Sequence, residues 1–231
     1  MITRNRIYGK RDPSKDAHKI YVICEGESDE PRYFGFFEGL SSNLNVITIP
    51  SKEGRTDPQK LSEMASGLFD AETGHFSLDY TQGDRVWFVI DTDAWEKEGK
   101  IEELREFCSA RNEEIFQPQT EVKAYSVWNV AQSNPSFEIW LYYHFYADSP
   151  KSEEVEKAAS FKHFVDGRIN GGFNYNTDPV RLKDAIVNAE DNYAVTEQGL
   201  LALYSTELSS LGREINGFVS AELAKLYNKL K

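Results

Sequence analysis

The sequence predicts an α/β fold: a mostly parallel four-stranded sheet flanked by helices, followed by a helical C-terminal extension. Three observations predict it. Short runs rich in β-branched and aromatic residues alternate with helix-spaced segments up to Pro150, the pattern of parallel strands joined by right-handed crossovers. Two of those runs, Ile20–Cys24 and Val86–Ile90, are uninterrupted apolar stretches, as strands buried on both faces read. Beyond Pro150 no strand pattern is clear, while helical spacing continues. The expected organisation is a basic arm over residues 1–19, an α/β core over 20–148 and a helical part packed on it over 149–231.

The elements follow in order. Lys19–Cys24 is the first strand, and Glu25-Gly-Glu-Ser28 is a turn. Ser28 or Asp29 can cap a helix opening near Pro31, where proline suits a first turn. Tyr33, Phe34, Phe37 and Leu40 recur along it at helical spacing. Leu44–Ile49 is a second strand, closed by Pro50. Asp57-Pro58 opens a helix to Phe69. Arg85–Ile90 is the third strand and leads into the acidic turn Asp91-Thr-Asp93. Residues 100–113 carry Ile101, Leu104, Phe107 and Cys108 on one helical stripe. Glu121–Trp128 reads as the fourth strand. Ser133-Asn-Pro135 then leads an aromatic helix from Ser136 to Tyr146. Glu153–Val165, Pro179–Tyr193 and Thr206–Leu230 read as C-terminal helices, with a Gly/Asn-rich loop at Asn170–Asn176.

Composition bounds the function. The chain has 231 residues, 40% hydrophobic, enough for a packed core. No apolar run approaches a bilayer span, and no apolar segment follows the charged start, so neither a membrane span nor a secretory signal is expected. Two cysteines, Cys24 and Cys108, build neither a disulfide framework nor a zinc site by themselves, which fits a reducing cytoplasm. The net charge of −12 argues against a passive nucleic-acid binder. The charge is uneven, however. Residues 61–130 hold six basic and fifteen acidic side chains, whereas residues 1–60 hold ten and nine. The arm contributes Arg4, Arg6, Lys10, Arg11, Lys15 and Lys19; lacking apolar periodicity, it reads either as a mobile solvated tail or as a phosphate-binding arm.

Two carboxylate motifs follow buried strands: Glu25-Gly26 after the first, and Asp91-x-Asp93 after the third. In an open parallel sheet, ligands bind outside the carboxyl ends of the strands, where strand order reverses. A 2-1-3-4 order would bring Glu25, Asp91 and Asp93 together there. Carboxylates so close repel unless protonated or neutralised. A divalent cation resolves this, and hard oxygen ligands favour Mg²⁺ or Mn²⁺, which can polarise a phosphodiester. Gly26 lets backbone approach a ligand closely. The plain alternative for either motif alone is a helix cap or a solvated turn.

These motifs resemble those of RloB-like proteins. The run from Cys24 to Phe34 resembles their EGxxTEPxYF signature, matching at Glu25, Gly26, Glu30, Pro31, Tyr33 and Phe34, with Ser28-Asp29 departing from it. Val86–Asp93 resembles the strand-plus-DxD element, and Ser133–Phe145 resembles the SNPxFExWxxxHF helix. The resemblance is close over residues 1–146 and loose beyond. Phe-Asn-Tyr-Asn at 173–176 stands where a Tyr-x-Lys-like element is expected. The resemblance implies a Toprim-type, Rossmann-like catalytic domain with Mg²⁺-dependent phosphodiester chemistry. It places Glu25 in acid–base or metal duty and Asp91 and Asp93 as ligands. It also implies a role in antiviral defence and abortive infection beside an ABC-type ATPase partner.

Further candidates surround this centre. Glu30 reads as a further metal ligand or as a charge at a helix start. Glu138, in an otherwise apolar helix, needs a partner: the metal's outer shell or a strand-side arginine. Ser133 and Asn134 read as helix caps that could also touch a phosphate. His144 reads as a satisfied core histidine or a site residue. Lys52, Arg55 and Lys60, near the end of the second strand, read as phosphate contacts or an ordinary loop. The leading expectation is a metal-dependent nuclease on DNA or RNA, tRNA among the candidates. The alternative is a Toprim-shaped binding module docked to the ATPase. A primase-like transferase ranks below both, since no P-loop or GxGxxG appears. A homodimer stays open.

Overall fold

The computed structural model describes residues 7–51, 57–92, 95–115 and 126–231. Four strands form one sheet: β1 (His18–Cys24), β2 (Leu44–Pro50), β3 (Arg85–Asp91) and β4 (Trp128–Ser133). All three neighbouring pairs are parallel, in the order β2-β1-β3-β4. The expected 2-1-3-4 arrangement is present, and the sheet is wholly rather than mostly parallel.

Alternation along each strand divides the core. Ile20, Val22 and Cys24 of β1, with Trp87 and Val89 of β3, face one cluster; Tyr21 and Ile23, with Val86, Phe88 and Ile90, face the other. Helices α2 (Pro58–Leu68) and α3 (Lys100–Ile115) cover the second face through Leu61, Ala65, Ile101, Leu104 and Cys108. Asp57 caps α2 by accepting from the Lys60 amide at 3.0 Å. The first face carries α1 (Asp29–Phe34), α4 (Glu138–Tyr143) and the C-terminal helices α6 (Phe161–Arg168), α7 (Leu182–Asp191) and α8 (Leu208–Leu230). One continuous apolar cluster joins them to the sheet.

Several boundaries differ from expectation for physical reasons. The fourth strand was expected at Glu121–Trp128, but β4 begins at Trp128; residues 116–125 lie outside the described residues. The sequence Trp-Asn-Val-Ala-Gln-Ser hides this strand because its polar side chains find partners. Gln132 donates to Thr92 Oγ1 at 2.8 Å and accepts from Arg105 at 3.0 Å. The outer edge of β4 is covered side chain by side chain. Asn112 bonds both the amide and the carbonyl of Trp128, and Glu207 does the same for Gln132, which blunts an otherwise sticky edge. The aromatic helix is shorter than Ser136–Tyr146, and the helix expected over Glu153–Val165 is two: α5 (Ser152–Val155) and α6, the latter restarted by a Ser160 cap on His163. Helix α1 ends at Phe34, and Phe37 and Leu40 follow in turns.

The described part of the N-terminal arm is not free. Its amides at Arg11 and Ser14 donate to the carbonyls of Gly39 and Ser42, Lys10 pairs with Glu38, and Tyr8 bonds the Phe36 carbonyl. These bonds hold it along the α1–β2 connection. Among the described residues, no helix is long and apolar enough to cross a membrane.

Helix α8 packs tightly at Gly212. A Cβ there would stand 3.0 Å from Trp140 and 3.2 Å from Ile186. Gly212→Leu is therefore expected to lose about 1–3 kcal/mol through overpacking. A lower urea midpoint at unchanged slope checks this; an unchanged midpoint would contradict the packing described.

Candidate functional site

The site is built where β1 and β3 end side by side. Cys24 is in register with Val89, and the Glu25 amide continues the ladder by donating to the Val89 carbonyl at 3.0 Å. This draws Glu25 against the next turn of chain. Its Oε2 accepts from the Asp91 amide at 2.9 Å and its Oε1 from the Trp95 indole at 2.7 Å. The carboxylate is buried, with the residue 9% exposed. Asp91 Oδ1 in turn accepts from the Phe137 amide at 2.8 Å, which ties β3 to the start of α4. On the other side, Ser51 at the end of β2 donates to the Glu25 carbonyl at 2.5 Å. Glu25 and the backbone of Asp91 thus meet at the two strand ends. Asp93 lies outside the described residues, as do Lys52 and Arg55.

Gly26 has a specific reason to be glycine: a Cβ there would stand 2.1 Å from Glu30 Oε2. The Glu30 carboxylate lies over that backbone, so a side chain at position 26 would displace it. Glu30 is only 6% exposed, and its pKa is pushed up to about 7, chiefly by burial, with the charges of Asp29, Glu25 and Glu138 adding to it and a bond to its own backbone opposing it.

Glu138 follows the Phe137 amide that holds Asp91. Ser136 donates to its Oε2 at 2.6 Å, and Lys162 of α6 stands 3.7 Å from its Oε1. Its basic partner is therefore this lysine and not a strand-side arginine; the C-terminal helices supply it. Ser133 and Asn134 do not cap α4. Ser133 bonds Thr206, and Asn134 bonds the Leu201 carbonyl through its side chain and the Ser205 carbonyl through its amide, so both fasten the C-terminal segment to the sheet edge. His144 is wholly buried. Its Nδ1 lies 2.9 Å from the Trp140 carbonyl, which makes it the N–H donor, so Nε2 accepts from the Tyr33 hydroxyl at 3.0 Å. Burial lowers its pKa to about 3, so it stays neutral in the core.

Five residues at the site were not among the candidates named from the sequence. Trp95 holds Glu25. Asp29, in the first turn of α1, binds Lys162 at 2.5 Å. Arg32 lies over the ring of Tyr175, 4.3 Å from its centroid. Lys162 and Tyr175 lie far along the chain from Glu25, and no spacing rule links them to it. Trp95 alone had a local signal, an aromatic placed just after an acidic turn.

The donor chemistry suits a hard divalent cation. Glu25, Asp91 and Glu30 offer carboxylate oxygens; the raised pKa of Glu30 reflects its burial first and the neighbouring carboxylates second. Among the described residues, no group of three His, Cys, Asp or Glu stands close enough to hold a metal; Asp93 lies outside them.

The folded chain binds the Glu30 proton more tightly than the unfolded chain does. Its contribution thus favours folding at low pH and declines as pH rises from 4.5 to about 7. In chelator-treated protein, Glu30→Gln is expected to flatten that decline and to be the more stable form at pH 8, by up to about 3 kcal/mol. Urea titrations at pH 5 and pH 8 measure it; a wild type and variant with parallel pH profiles would show that Glu30 is not held protonated.

No curated protein and no solved structure matches the chain. A family model matches residues 20–211, which takes in β1 from Ile20, the other three strands, the carboxylate site and the helices down to the start of α8. By that match, and by the motifs at Glu25–Phe34, Val86–Asp91 and Ser133–Phe145 that build the site, the chain belongs to the RloB-like protein family.

Proposed function

We propose that the chain is a metal-dependent nuclease of Toprim type, hydrolysing phosphodiester bonds of DNA or RNA, tRNA included. The observation that carries this reading is the meeting of Glu25 and Asp91 at adjacent parallel strand ends, with Glu30 and Glu138 beside them. Glu25, Asp91, Asp93 and Glu30 would hold Mg²⁺ or Mn²⁺. When bound, such an ion supplies charge neutralisation at the phosphate and a more acidic water. The chain's own part is positioning. The Trp95 indole and the Asp91 amide fix Glu25, and the Phe137 amide fixes Asp91, so both carboxylates keep one orientation. Service in antiviral defence, with an ABC-type ATPase as partner, belongs to the same proposal and rests on the family.

One observation favours a second reading, a Toprim-shaped module that acts by docking to the ATPase: each Glu25 oxygen already accepts a bond from the protein. Calorimetric titration with Mn²⁺ separates the two. A nuclease site takes up the ion; heats no larger than dilution would favour the docking module.

Cleavage is tested on tRNA, messenger RNA and plasmid DNA with and without Mg²⁺. Asp91→Asn keeps an oxygen for the Phe137 amide while removing the charge, so it separates chemistry from folding better than Asp91→Ala. Both substitutions are expected to lower metal-dependent cleavage by at least about 100-fold, since even outer-shell partners of a metal site are worth 10–100-fold. Asp91→Asn should leave the melting temperature within a few degrees of wild type. Undiminished cleavage by purified Asp91→Asn protein would overturn the nuclease reading.

A further inference from the structure

We infer that Arg32 and Lys162 form a phosphodiester-binding cradle at the rim of the carboxylate site, with Asp29 as the residue that positions both. The inference rests on the nuclease reading and names how that site would hold its substrate's backbone.

The two cations reach one carboxylate from different elements. Lys162 of α6 stands 2.5 Å from Asp29 Oδ2, and Arg32 of α1 stands 3.9 Å from Oδ1. Asp29 precedes Glu30 directly, and Lys162 also faces Glu138 Oε1 at 3.7 Å. Both cations therefore sit against the same acidic rim as Glu25 and Asp91.

How they are held matters more than where. The Arg32 guanidinium is fixed by its flat face over the Tyr175 ring, at 4.3 Å. Stacking of this kind restrains a guanidinium without using its in-plane donors. At 3.9 Å the pairing with Asp29 is too long for a hydrogen bond, and among the described residues the Arg32 side chain donates none. Arg105 and Arg111, by contrast, spend donors on the protein: Arg105 on Gln132 and Glu207, Arg111 on Glu114. Arg32 thus keeps a planar fork, and a fork of that shape matches two phosphate oxygens. Lys162 has three donors and gives one to Asp29. Both side chains are about half exposed, 47% for Arg32 and 54% for Lys162, so a ligand can reach those donors. The Tyr175 ring is in turn packed edge-on against Phe173, 5.2 Å between centroids. A polyanion approaching this acidic rim needs fixed positive charge to meet it, and these two side chains provide some on the described surface.

Salt dependence distinguishes a phosphate contact from a structural tether. Binding of total tRNA and of a short DNA duplex is measured by anisotropy across a salt series, in the non-cleaving Asp91→Asn background. Arg32→Gln and Lys162→Gln should each weaken binding about tenfold, the worth of one charged hydrogen bond. Each should also reduce the slope of log affinity against log salt by about 0.9 on duplex, or about 0.7 on single strands. Lys162→Arg should restore the slope. The probe whose slope responds identifies the substrate class. Slopes unchanged on both probes, with only the melting temperature lowered, would show that the cations merely tie α6 to α1 and would overturn the inference while wild-type cleavage leaves the nuclease reading intact. A wild type that neither cleaves nor binds either probe would remove both.

Discussion

The parallel pairing of β1 with β3 is the constraint on which the rest depends. Its register sets Cys24 opposite Val89, so the first residue past β1 must lie beside the last turn of β3. From that follow the bond from the Asp91 amide to Glu25, the burial of the Glu25 carboxylate and the anchoring of α4 through the Phe137 amide. A slip of two residues would keep every apolar side chain on its proper face and still dismantle this arrangement. The buried alternation of Ile20 to Cys24 against Val86 to Ile90 thus sets the faces, and the bonds at the strand ends select the register.

Burying acids in this way is unfavourable unless each has a partner. The chain meets the requirement unevenly. Glu25 and Asp91 take donors from backbone amides and an indole, Glu138 takes Ser136 and Lys162, and Glu30 instead retains its proton toward neutral pH. The residual crowding is what makes a cation a fitting occupant. It also explains why a net charge of −12 says little about substrate: the surplus is spread over solvated helices such as α3, while cations are placed locally, at Arg32 and Lys162.

Much of the fold was legible because its signals are local. Uninterrupted apolar runs marked β1 and β3, Asp57-Pro58 marked the start of α2, and strand–helix alternation foretold the parallel order. Strand β4 was misplaced because it places polar Asn129 and Gln132 on both faces and shows no alternation; their side chains are satisfied by Arg105, Thr92, Glu96 and neighbouring backbone. The break between α5 and α6 was likewise hidden, although Ser160 is a recognisable cap once the helix is known to restart there. Ser133 and Asn134 read as caps from position alone, but the chain returning at Leu201–Thr206 claims them.

The sequence by itself determined the fold class and the family motifs, because strand burial and turn chemistry act between residues close in the chain. Only the tertiary structure decided which side chains serve the central carboxylates. Lys162, Arg32 with Tyr175, Trp95 and the Glu30–Gly26 contact are set by distances across the fold. Electrostatic partners and stacking depend on separation in space, which sequence spacing does not encode once the chain has turned back on itself.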